Sequence, residues 1–581
     1  MTWTGKTWAL APDNPPAREA IESGLGLEPM ISRLLVNRGV ISPDEAGQFL
    51  NPSLDSLSSP FDIPSMDKAA ERVALAWQRG EKVAVYGDFD AAGLTACALL
   101  SRFLEESGID SHVVASRRES DSRGLTPEEV ERMKQTGASL VITVDTGSSA
   151  VDAARRAGEL GMDMVITDHH TPSGQRPRAL AEVNPHFCGQ DAPGRDLSGV
   201  GVAFKLAMAA RKTMRGLRGC AGEPNLKRLM GLVAMGTVAD CSPLLGENRT
   251  LVRHGLDELS SGSGSPPGLQ ALRKVCRLDG RNVTSRDIAF EMAPRLNSAS
   301  RMNNVETAME LLTTTDPRRA AALAAMLDID NKKRKIIQKQ ILDEATRMAR
   351  KLPDKESTVA LVLRGEDWNP GVIGIVASRL VDEWHVPVIM VSFSDGIGKG
   401  SCRSIPSFDI YAALTKAGGA LERFGGHQAA AGLYVLDERF RDFKEAFLQA
   451  AGATLEGDGR LPTLICDMEL DPAAVTEETV ERIGMLEPFG GSAEAPLFLT
   501  RGRKLASAPE FIGEDGRSAR FTVPGHGAAA EAVAFGMGDF FRGMDWKNSL
   551  VDFVYTPEIN RWGSMRRLQL RVVDIRLGAK K

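Results

Sequence analysis

The chain has 581 residues and a formal net charge of −5 at pH 7, from 71 lysines and arginines against 76 aspartates and glutamates. This length exceeds the size at which one hydrophobic core keeps growing, so we expect roughly three or four structural units. The near-balanced charge excludes bulk electrostatic binding of nucleic acids or membranes, which leaves only local patches for such a role.

The cysteines and the apolar runs indicate the compartment. Seven cysteines are scattered without a CxxC pair, which favours reduced thiols over a disulfide framework or a thiolate zinc site. The N-terminal stretch lacks the apolar core of a signal peptide, and no apolar run reaches the length of a membrane span. We therefore expect a cytoplasmic protein with no membrane partner.

Short helices are predicted near the N-terminus. In "SPDEAGQFL", Ser42 suits the N-cap and Pro43 the first helical position, and acidic residues follow in the first turn. We expect a helical segment over residues 1–55.

Apolar runs alternate with helical stretches from Val83 onward. "VAVYGD", "SHVVA", "SLVITVDTG" and "MDMVITDHH" have the composition of buried strands, and helical patterns separate them. Such alternation is typical of a parallel sheet covered by helices. A later apolar stretch, "LMGLVAMGTVADCSP", is predicted to be mainly helical from its Met, Ala and Gly content.

One long helix is predicted over residues 316–352. The stretch contains no glycine, and no proline lies between Pro317 and Pro353. At about 1.5 Å per residue it would span roughly 54 Å, which suits a connection between two units.

A second α/β pattern follows over residues 353–460. Alternating short strands over residues 461–581 then predict an all-β, OB-like domain.

Acidic and imidazole side chains follow three predicted strands of the first α/β unit. They are Asp88, Asp90, Asp145, Asp168, His169 and His170. Ligands of an open parallel sheet bind at the carboxyl ends of its strands, so we expect these groups to converge. A single aspartate at a strand end is more often a helix cap, but three strand ends in register favour a metal site.

The predicted ligand set indicates which metal would bind. Carboxylates and imidazoles without cysteine favour Mn²⁺ or Mg²⁺, with Zn²⁺ as the alternative. Two ions about 3.5–4 Å apart can activate water and stabilise the leaving oxygen of a phosphoester. The residues alone therefore predict a metal site of a kind that suits phosphoester hydrolysis.

Several motifs occur in an order that resembles a known family. "GDFDAAG", "VDTG", "TDHH", "GTVAD", "PRLNSASR", "GKGSCRS" and "RFGGHQAAAG" follow one another, and "LEPFGGSAEAPLF" comes later. This order resembles the DHH phosphoesterase superfamily and, within it, the RecJ family of single-stranded-DNA-specific 5′→3′ exonucleases. The resemblance extends over nearly the whole chain.

The resemblance implies a fold and a division into domains. The fold is α/β, with a parallel-sheet DHH catalytic domain, a long linker helix, a DHHA1 domain and a C-terminal OB-like β domain. The expected bounds are 1–55 for the N-terminal helical segment, 56–315 for the DHH domain, 316–352 for the linker helix, 353–460 for the DHHA1 domain and 461–581 for the OB-like domain.

The resemblance also implies an activity. It is metal-dependent 5′→3′ hydrolysis of single-stranded DNA to mononucleotides, in DNA repair and recombination. The implied partners are single-stranded DNA with a 5′ end and a single-strand-binding protein or helicase. Two other functions stay open, namely a catalytically weakened DNA-binding or scaffold protein and a phosphodiesterase of short oligonucleotides. The N-terminal segment and the β domain count against the second of these.

The family's site residues correspond to positions of this chain. The implied ligands of two Mn²⁺ or Mg²⁺ ions are Asp88, Asp90, Asp145, His169 and Asp240. In the implied chemistry, Asp168 orients the neighbouring imidazole and His170 contacts the scissile phosphate. The implied contacts to the DNA backbone or the 5′ phosphate are Asn297, Arg301, Ser401, Arg403 and His427.

Two positions depart from the family's pattern. The first motif of the family reads Asp-x-Asp-x-Asp-Gly, whereas this chain has Ala92 in place of the third aspartate. Because alanine cannot ligate a metal, we expect one ion to bind more weakly and activity to be reduced. In the second motif, Arg123 stands in the position of a tyrosine. Either Arg117 or Arg118 would supply the phosphate contact there.

Overall fold

The computed structural model describes residues 2–578 apart from 117–123, 173, 191, 193, 216, 218–222, 263, 353–357, 456–460, 514–515, 525–529 and 563–564. The chain divides into two compact units. The first unit comprises Gln48–Lys335 and Pro488–Glu494, and the second comprises Met1–Gly47, Ile336–Glu487 and Ala495–Lys581.

A five-stranded parallel sheet forms the centre of the first unit, as the alternating pattern predicts. Its strands lie in the order Ser111–Ala115, Lys82–Gly87, Ala138–Val144, Asp163–Thr167 and Ala181–Val183. In the register of the three central strands, Gly87 pairs with Val144, and Val144 pairs with Thr167. The residues that follow these three positions therefore start from one edge of the sheet.

Helices cover this sheet and extend beyond it. The α-helices are Met66–Arg79, Ala91–Glu106, Pro127–Gln135, Val151–Glu159, Gly199–Arg215, Met230–Ala239, Gly246–Ser261, Pro267–Val275, Ser285–Asp287, Ala293–Arg301 and Val305–Thr313. Short 3₁₀ turns cover Leu54–Ser56, Pro60–Asp62, Pro185–Phe187 and Leu226–Leu229, and a π-helical turn covers Ile288–Met292. The buried helix Met230–Ala239 confirms the helical prediction for "LMGLVAMGTVADCSP".

The predicted long helix is present as Pro317–Ala349. Asp316 begins it, because its Oδ1 accepts a hydrogen bond from the Arg318 N–H at 2.9 Å. The boundary between the two units falls within this helix, between Lys335 and Ile336.

The N-terminal segment contains the predicted helices and also a strand that the sequence analysis missed. The helices are Pro15–Leu25, Pro29–Val36 and Pro43–Leu50, and the strand is Thr7–Leu10. This strand pairs in parallel with Thr463–Cys466. Buried Asp574 holds the same segment, since its carboxylate accepts hydrogen bonds from Thr4 and Trp8. A strand of four residues whose partner lies more than 400 positions away has no local signal.

A mixed five-stranded sheet confirms the second α/β pattern. Its order is Arg423–Gly426, Ala430–Leu436, Ile397–Arg403, Val388–Ser394 and Leu361–Glu366. The helices Ile373–Trp384, Ile410–Ala417 and Phe440–Gly452 accompany it. Phe408, Phe443 and Phe447 are buried in its core.

A seven-stranded sheet confirms the predicted C-terminal β domain. Its order is Met468–Glu469, Phe498–Arg503, Val551–Trp562, Met565–Leu577, Ala530–Ala534, Ser518–Val523 and Glu510–Ile512. Two short helices, Glu477–Gly484 and Gly538–Arg542, interrupt the strands. None of the helices in the described part of the chain combines the length and the apolarity that crossing a membrane requires.

Candidate metal centre

The first predicted motif forms the turn between the strand Lys82–Gly87 and the helix Ala91–Glu106. Asp90 caps this helix, because its Oδ1 accepts the N–H groups of Ala92 and Gly93 at 3.0 and 3.1 Å. Gly93 is required by close approach, since an added Cβ would lie 2.5 Å from the Asp88 carbonyl oxygen. Asp90 is therefore a helix cap, and both bonds use the same one of its two oxygens.

Asp88 is held by neighbours that follow the ends of two adjacent strands. Its Oδ1 accepts hydrogen bonds from the Phe89 N–H at 2.8 Å and from the Ser116 hydroxyl at 2.7 Å. Ser116 directly follows the adjacent strand Ser111–Ala115. Burial, together with Asp145 and Asp88, raises the pKa of the Cys97 thiol behind the motif. The charges of Asp88 and Asp145 therefore both lie near the Cys97 thiol.

Asp145 lies at the next strand end and is 4% exposed. Its backbone has a φ of +60°, a left-handed conformation that aspartate tolerates better than most residues. Gly199 leaves room for its carboxylate, because a Cβ there would lie 1.9 Å from Asp145 Oδ1. Burial raises the pKa of Asp145 to about 7; His169 opposes this rise, and the charges of Asp90 and Asp240 contribute to it. The three carboxylates are thus close enough to interact.

Two buried polar atoms meet at this point without hydrogen bonds. His169 Nε2 lies 3.1 Å from Asp145 Oδ1 and 3.7 Å from Asp240 Oδ2. Neither His169 Nε2 nor Asp145 Oδ1 has a correctly aligned hydrogen-bond partner, although both are buried. Buried polar atoms without a partner are costly and rare. This arrangement fits a cation, which both lone pairs would ligate.

Asp168 and His170 form a tight pair beside this site. Asp168 Oδ1 accepts hydrogen bonds from the His170 Nδ1 at 2.7 Å and from the backbone N–H groups of both histidines, and its Oδ2 accepts the Ser148 N–H. Burial alone would raise the pKa of Asp168, but these bonds outweigh it and lower the pKa to about 2. The hydrogen bond to Asp168 raises the pKa of His170 to about 9.

The geometry groups His170 with the ligands more closely than the resemblance implies. Asp145, His169 and His170 can each present one ligand atom within 4.8 Å of the other two. The His170 side chain is 59% exposed, so it is the most accessible member of this group.

Asn297 has a structural role that sequence reasoning missed. It lies in the helix Ala293–Arg301, and its Oδ1 accepts the Ala91 N–H at 2.8 Å. It therefore holds the turn that carries Asp88 and Asp90. Arg301 ends the same helix and is half-buried.

The predicted 5′-phosphate residues Ser401 and Arg403 lie in the strand Ile397–Arg403 of the second unit. Arg403 Nη1 donates hydrogen bonds to the Ser401 hydroxyl at 3.2 Å and to the Cys402 carbonyl at 2.8 Å. An added Cβ at Gly374 would lie 2.9 Å from the Ser401 hydroxyl and 3.0 Å from Arg403 Nη2. Both side chains thus pack against the first turn of the helix Ile373–Trp384. The free backbone N–H groups at the N-terminus of a helix favour the binding of an anion.

His427 is exposed in the turn between two strands of the same sheet. Its backbone N–H donates to the Ala430 carbonyl at 2.8 Å, and Ala430 pairs with Arg403.

Arg117, Arg118 and Arg123 lie outside the described residues. Further residues that sequence reasoning missed are Ser116, Ser148, Gly199 and Ser242. Small residues of this kind carry no signal before their neighbours in space are known.

Comparisons with known proteins agree with this order of domains. The DHH family N-terminal domain matches residues 82–237, the DHHA1 domain residues 356–457 and the RecJ OB domain residues 466–574. The single-stranded-DNA-specific exonuclease RecJ of Escherichia coli is 34% identical over 94% of this chain and 96% of its own. RecJ of Bacillus subtilis is 32% identical over 98% of this chain and 70% of its own.

Solved structures give the same result. The crystal structure of RecJ in complex with Mn²⁺ from Thermus thermophilus covers 98% of this chain and 79% of its own, with 28% identity and a TM-score of 0.82. A second structure, exonuclease RecJ bound to manganese, is 34% identical over 67% of this chain and 95% of its own, with a TM-score of 0.59. The chain therefore belongs to the RecJ family of DHH proteins.

Proposed function

We propose that this chain is a divalent-metal-dependent exonuclease that hydrolyses single-stranded DNA from the 5′ end to mononucleotides, in DNA repair and recombination. The observation that carries the proposal is the approach of Asp145, His169 and Asp240, in which Asp145 Oδ1 and His169 Nε2 are buried without an aligned hydrogen-bond partner. The names of the relatives support the substrate. A scaffold protein with a disabled metal centre is not favoured, since these relatives carry the name of an exonuclease.

The proposed metal ligands are Asp88, Asp90, Asp145, His169 and Asp240, and the ions are two Mn²⁺ or Mg²⁺. Carboxylate and imidazole donors fit these ions. When bound, the ions supply Lewis-acid charge that stabilises the transition state of phosphodiester hydrolysis. Ala92 contributes no ligand, so we propose that one of the two sites is weaker.

His170 is proposed to contact the scissile phosphate. Asp168 fixes the ring through Nδ1 and favours its protonated form, because it raises the pKa of His170 to about 9. A protonated imidazole donates a strong hydrogen bond to a phosphate oxygen. Asp168 therefore acts as a positioning residue for His170.

The remaining proposed contacts hold the DNA strand. Ser401, Arg403 and His427 would bind the 5′ phosphate, since a guanidinium, a hydroxyl and the N–H groups of the helix Ile373–Trp384 suit a phosphate. Asn297 and Arg301 would bind the DNA backbone. Arg117 and Arg118 stay alternatives for a further phosphate contact.

We also propose the division of the chain at residues 55, 315, 352 and 460 into the domains expected from the sequence. The proposed location is the cytoplasm, supported by the free thiols of all cysteines that the structure describes. A single-strand-binding protein or a helicase is the proposed protein partner.

Digestion of end-labelled DNA tests the proposed function. With Mn²⁺, we expect 5′-labelled single strands to release labelled mononucleotides from the first time points, because the 5′ residue is removed first. The 3′-labelled strands should shorten progressively, and EDTA should stop both reactions. Rapid release of a 3′ label, or equal digestion of blunt duplex, would contradict the proposal.

The 5′-phosphate contact is tested with Arg403→Ala. We expect affinity for 5′-phosphorylated single-stranded DNA to fall about tenfold or more, because a charge-assisted hydrogen bond contributes roughly 1.5–3 kcal/mol. Affinity for the 5′-hydroxyl strand should change little. The measurement is fluorescence anisotropy in EDTA, and Arg441→Ala is the control, since Arg441 is exposed and pairs with Glu445 one turn away on the same helix. An equal loss for both strands would place Arg403 outside a 5′-phosphate site.

A further inference from the structure

A short loop belongs to the first unit although the chain on both sides of it belongs to the second. This loop, Pro488–Glu494, is grouped with Gln48–Lys335, whereas Glu487 and Ala495 are grouped with the second unit. It lies in the motif "LEPFGGSAEAPLF", to which the proposed function assigns no role. We name it the 488–494 loop.

The 488–494 loop is held by buried hydrogen bonds. Arg249 is 1% exposed and donates from Nη1 to the Pro488 carbonyl at 3.1 Å. The Ser285 hydroxyl donates to the Phe489 carbonyl, and the N–H groups of Gly490 and Ala493 donate to each other's carbonyls at 3.1 and 2.8 Å. Ala493 is fully buried. The loop is therefore a closed turn seated in the first unit.

The same loop packs on the turn that follows Asp240. Its Gly491 carbonyl accepts the Leu244 N–H at 2.6 Å. An added Cβ at Gly491 would lie 2.5 Å from the Cys241 carbonyl oxygen and 2.8 Å from that of Ser242. Only glycine permits this approach to two backbone carbonyls.

This turn is strained, and it donates a hydrogen bond to the Asp240 side chain. Cys241 has a φ of +58°, which is unfavourable for a residue other than glycine and needs support from its surroundings. The Ser242 hydroxyl donates to Asp240 Oδ2 at 2.5 Å, and that oxygen lies 3.7 Å from His169 Nε2. The contacts therefore run from Gly491 through Ser242 to Asp240.

We infer that the 488–494 loop positions Asp240 for metal binding, with Gly491 and Ser242 as positioning residues. The inference rests on the metal centre of the proposed function. Its consequence is that metal affinity depends on a loop far along the chain, whose flanking residues belong to the other unit. Groups that orient metal ligands typically change metal affinity or activity by about 10–100-fold when they are altered.

The test compares Gly491→Ala, Ser242→Ala and their double variant in the full chain. Mn²⁺ binding is measured without DNA by the loss of the electron-paramagnetic-resonance signal of free Mn²⁺. We expect each single variant to bind Mn²⁺ about tenfold more weakly. The double variant should lose less than the product of the two effects, because both act on Asp240. Saturating Mn²⁺ should restore most of the cleavage rate of Gly491→Ala.

The matched control is Gly484→Ala. Gly484 ends the helix Glu477–Gly484, and an added Cβ there meets no atom within 4 Å. Its Mn²⁺ affinity should equal that of the unchanged chain. Unchanged Mn²⁺ affinity in Gly491→Ala, with only a lower unfolding temperature, would overturn the inference. If Gly491→Ala does not fold, unchanged affinity in Ser242→Ala would overturn it. A failure of the unchanged chain to bind Mn²⁺ would instead overturn the proposed metal centre.

Discussion

Asp145→Asn is expected to lower the rate of single-stranded-DNA cleavage about 1000-fold or more, while the metal-free protein stays as stable as the unchanged chain or becomes more stable. The rate falls because an amide lacks the charge that a ligand of Mn²⁺ needs beside His169 and Asp240. A loss of about 4 kcal/mol in transition-state stabilisation corresponds to this factor. The measurement is single-turnover cleavage across a Mn²⁺ titration.

The metal-free protein should be as stable or more stable after the substitution because Asp145 is a buried charge. Its Oδ1 is buried without an aligned hydrogen-bond partner, and Asp90 and Asp240 repel it. The cost of burying this carboxylate exceeds its attraction to His169, so the charge destabilises the metal-free fold, and asparagine removes it with little change of shape. Asparagine also tolerates the φ of +60° at this position. Thermal unfolding in EDTA measures this effect.

Asp152→Asn is the control for the loss of one carboxylate. Asp152 is exposed in the helix Val151–Glu159 and contacts Arg155. We expect cleavage and metal binding to stay unchanged in this variant. A cleavage rate for Asp145→Asn within about tenfold of the unchanged chain at limiting Mn²⁺ would show that Asp145 is not an essential ligand.

Ala92→Asp is expected to raise the cleavage rate at limiting Mn²⁺ about tenfold or more. Ala92 is 3% exposed in the first turn of the helix Ala91–Glu106, and its N–H donates to Asp90 Oδ1. A carboxylate there adds an oxygen ligand and one compensating charge beside Asp90. Each gain of about 1.4 kcal/mol in transition-state stabilisation raises the rate tenfold. A Mn²⁺ titration should show a lower half-saturating concentration.

The matched control for this gain is Ala92→Asn, which has the same shape without the charge. DNA affinity in EDTA should be similar for both variants and the unchanged chain, because Ser401, Arg403 and Arg301 lie on other segments. If Ala92→Asp cleaves no faster than Ala92→Asn at limiting Mn²⁺, residue 92 does not occupy a metal-ligand position.

Local patterns were sufficient to predict the strand ends of the parallel sheet in the first unit. Each of the three central strands is a short apolar run, and a polar residue follows it directly at Asp88, Asp145 and Asp168. Parallel strands in register bring their carboxyl ends to one edge, so the order of residues alone predicted that these three positions follow that edge. The long helix Pro317–Ala349 was predictable for a similar reason, since its limits are set by local helix breakers.

The sequence by itself therefore determined the order of the units, and it predicted the candidate site in which Asp145, His169 and Asp240 approach one another. Only the tertiary structure decided how those side chains are held. Asn297 supports the first motif, Gly199 makes room for Asp145, and Gly491 packs on the turn after Asp240. The strand Thr7–Leu10 finds its partner at Thr463–Cys466. These contacts join residues far apart in the chain, and the free energy of such contacts comes from packing and close backbone approach, which leave no periodic pattern in the sequence.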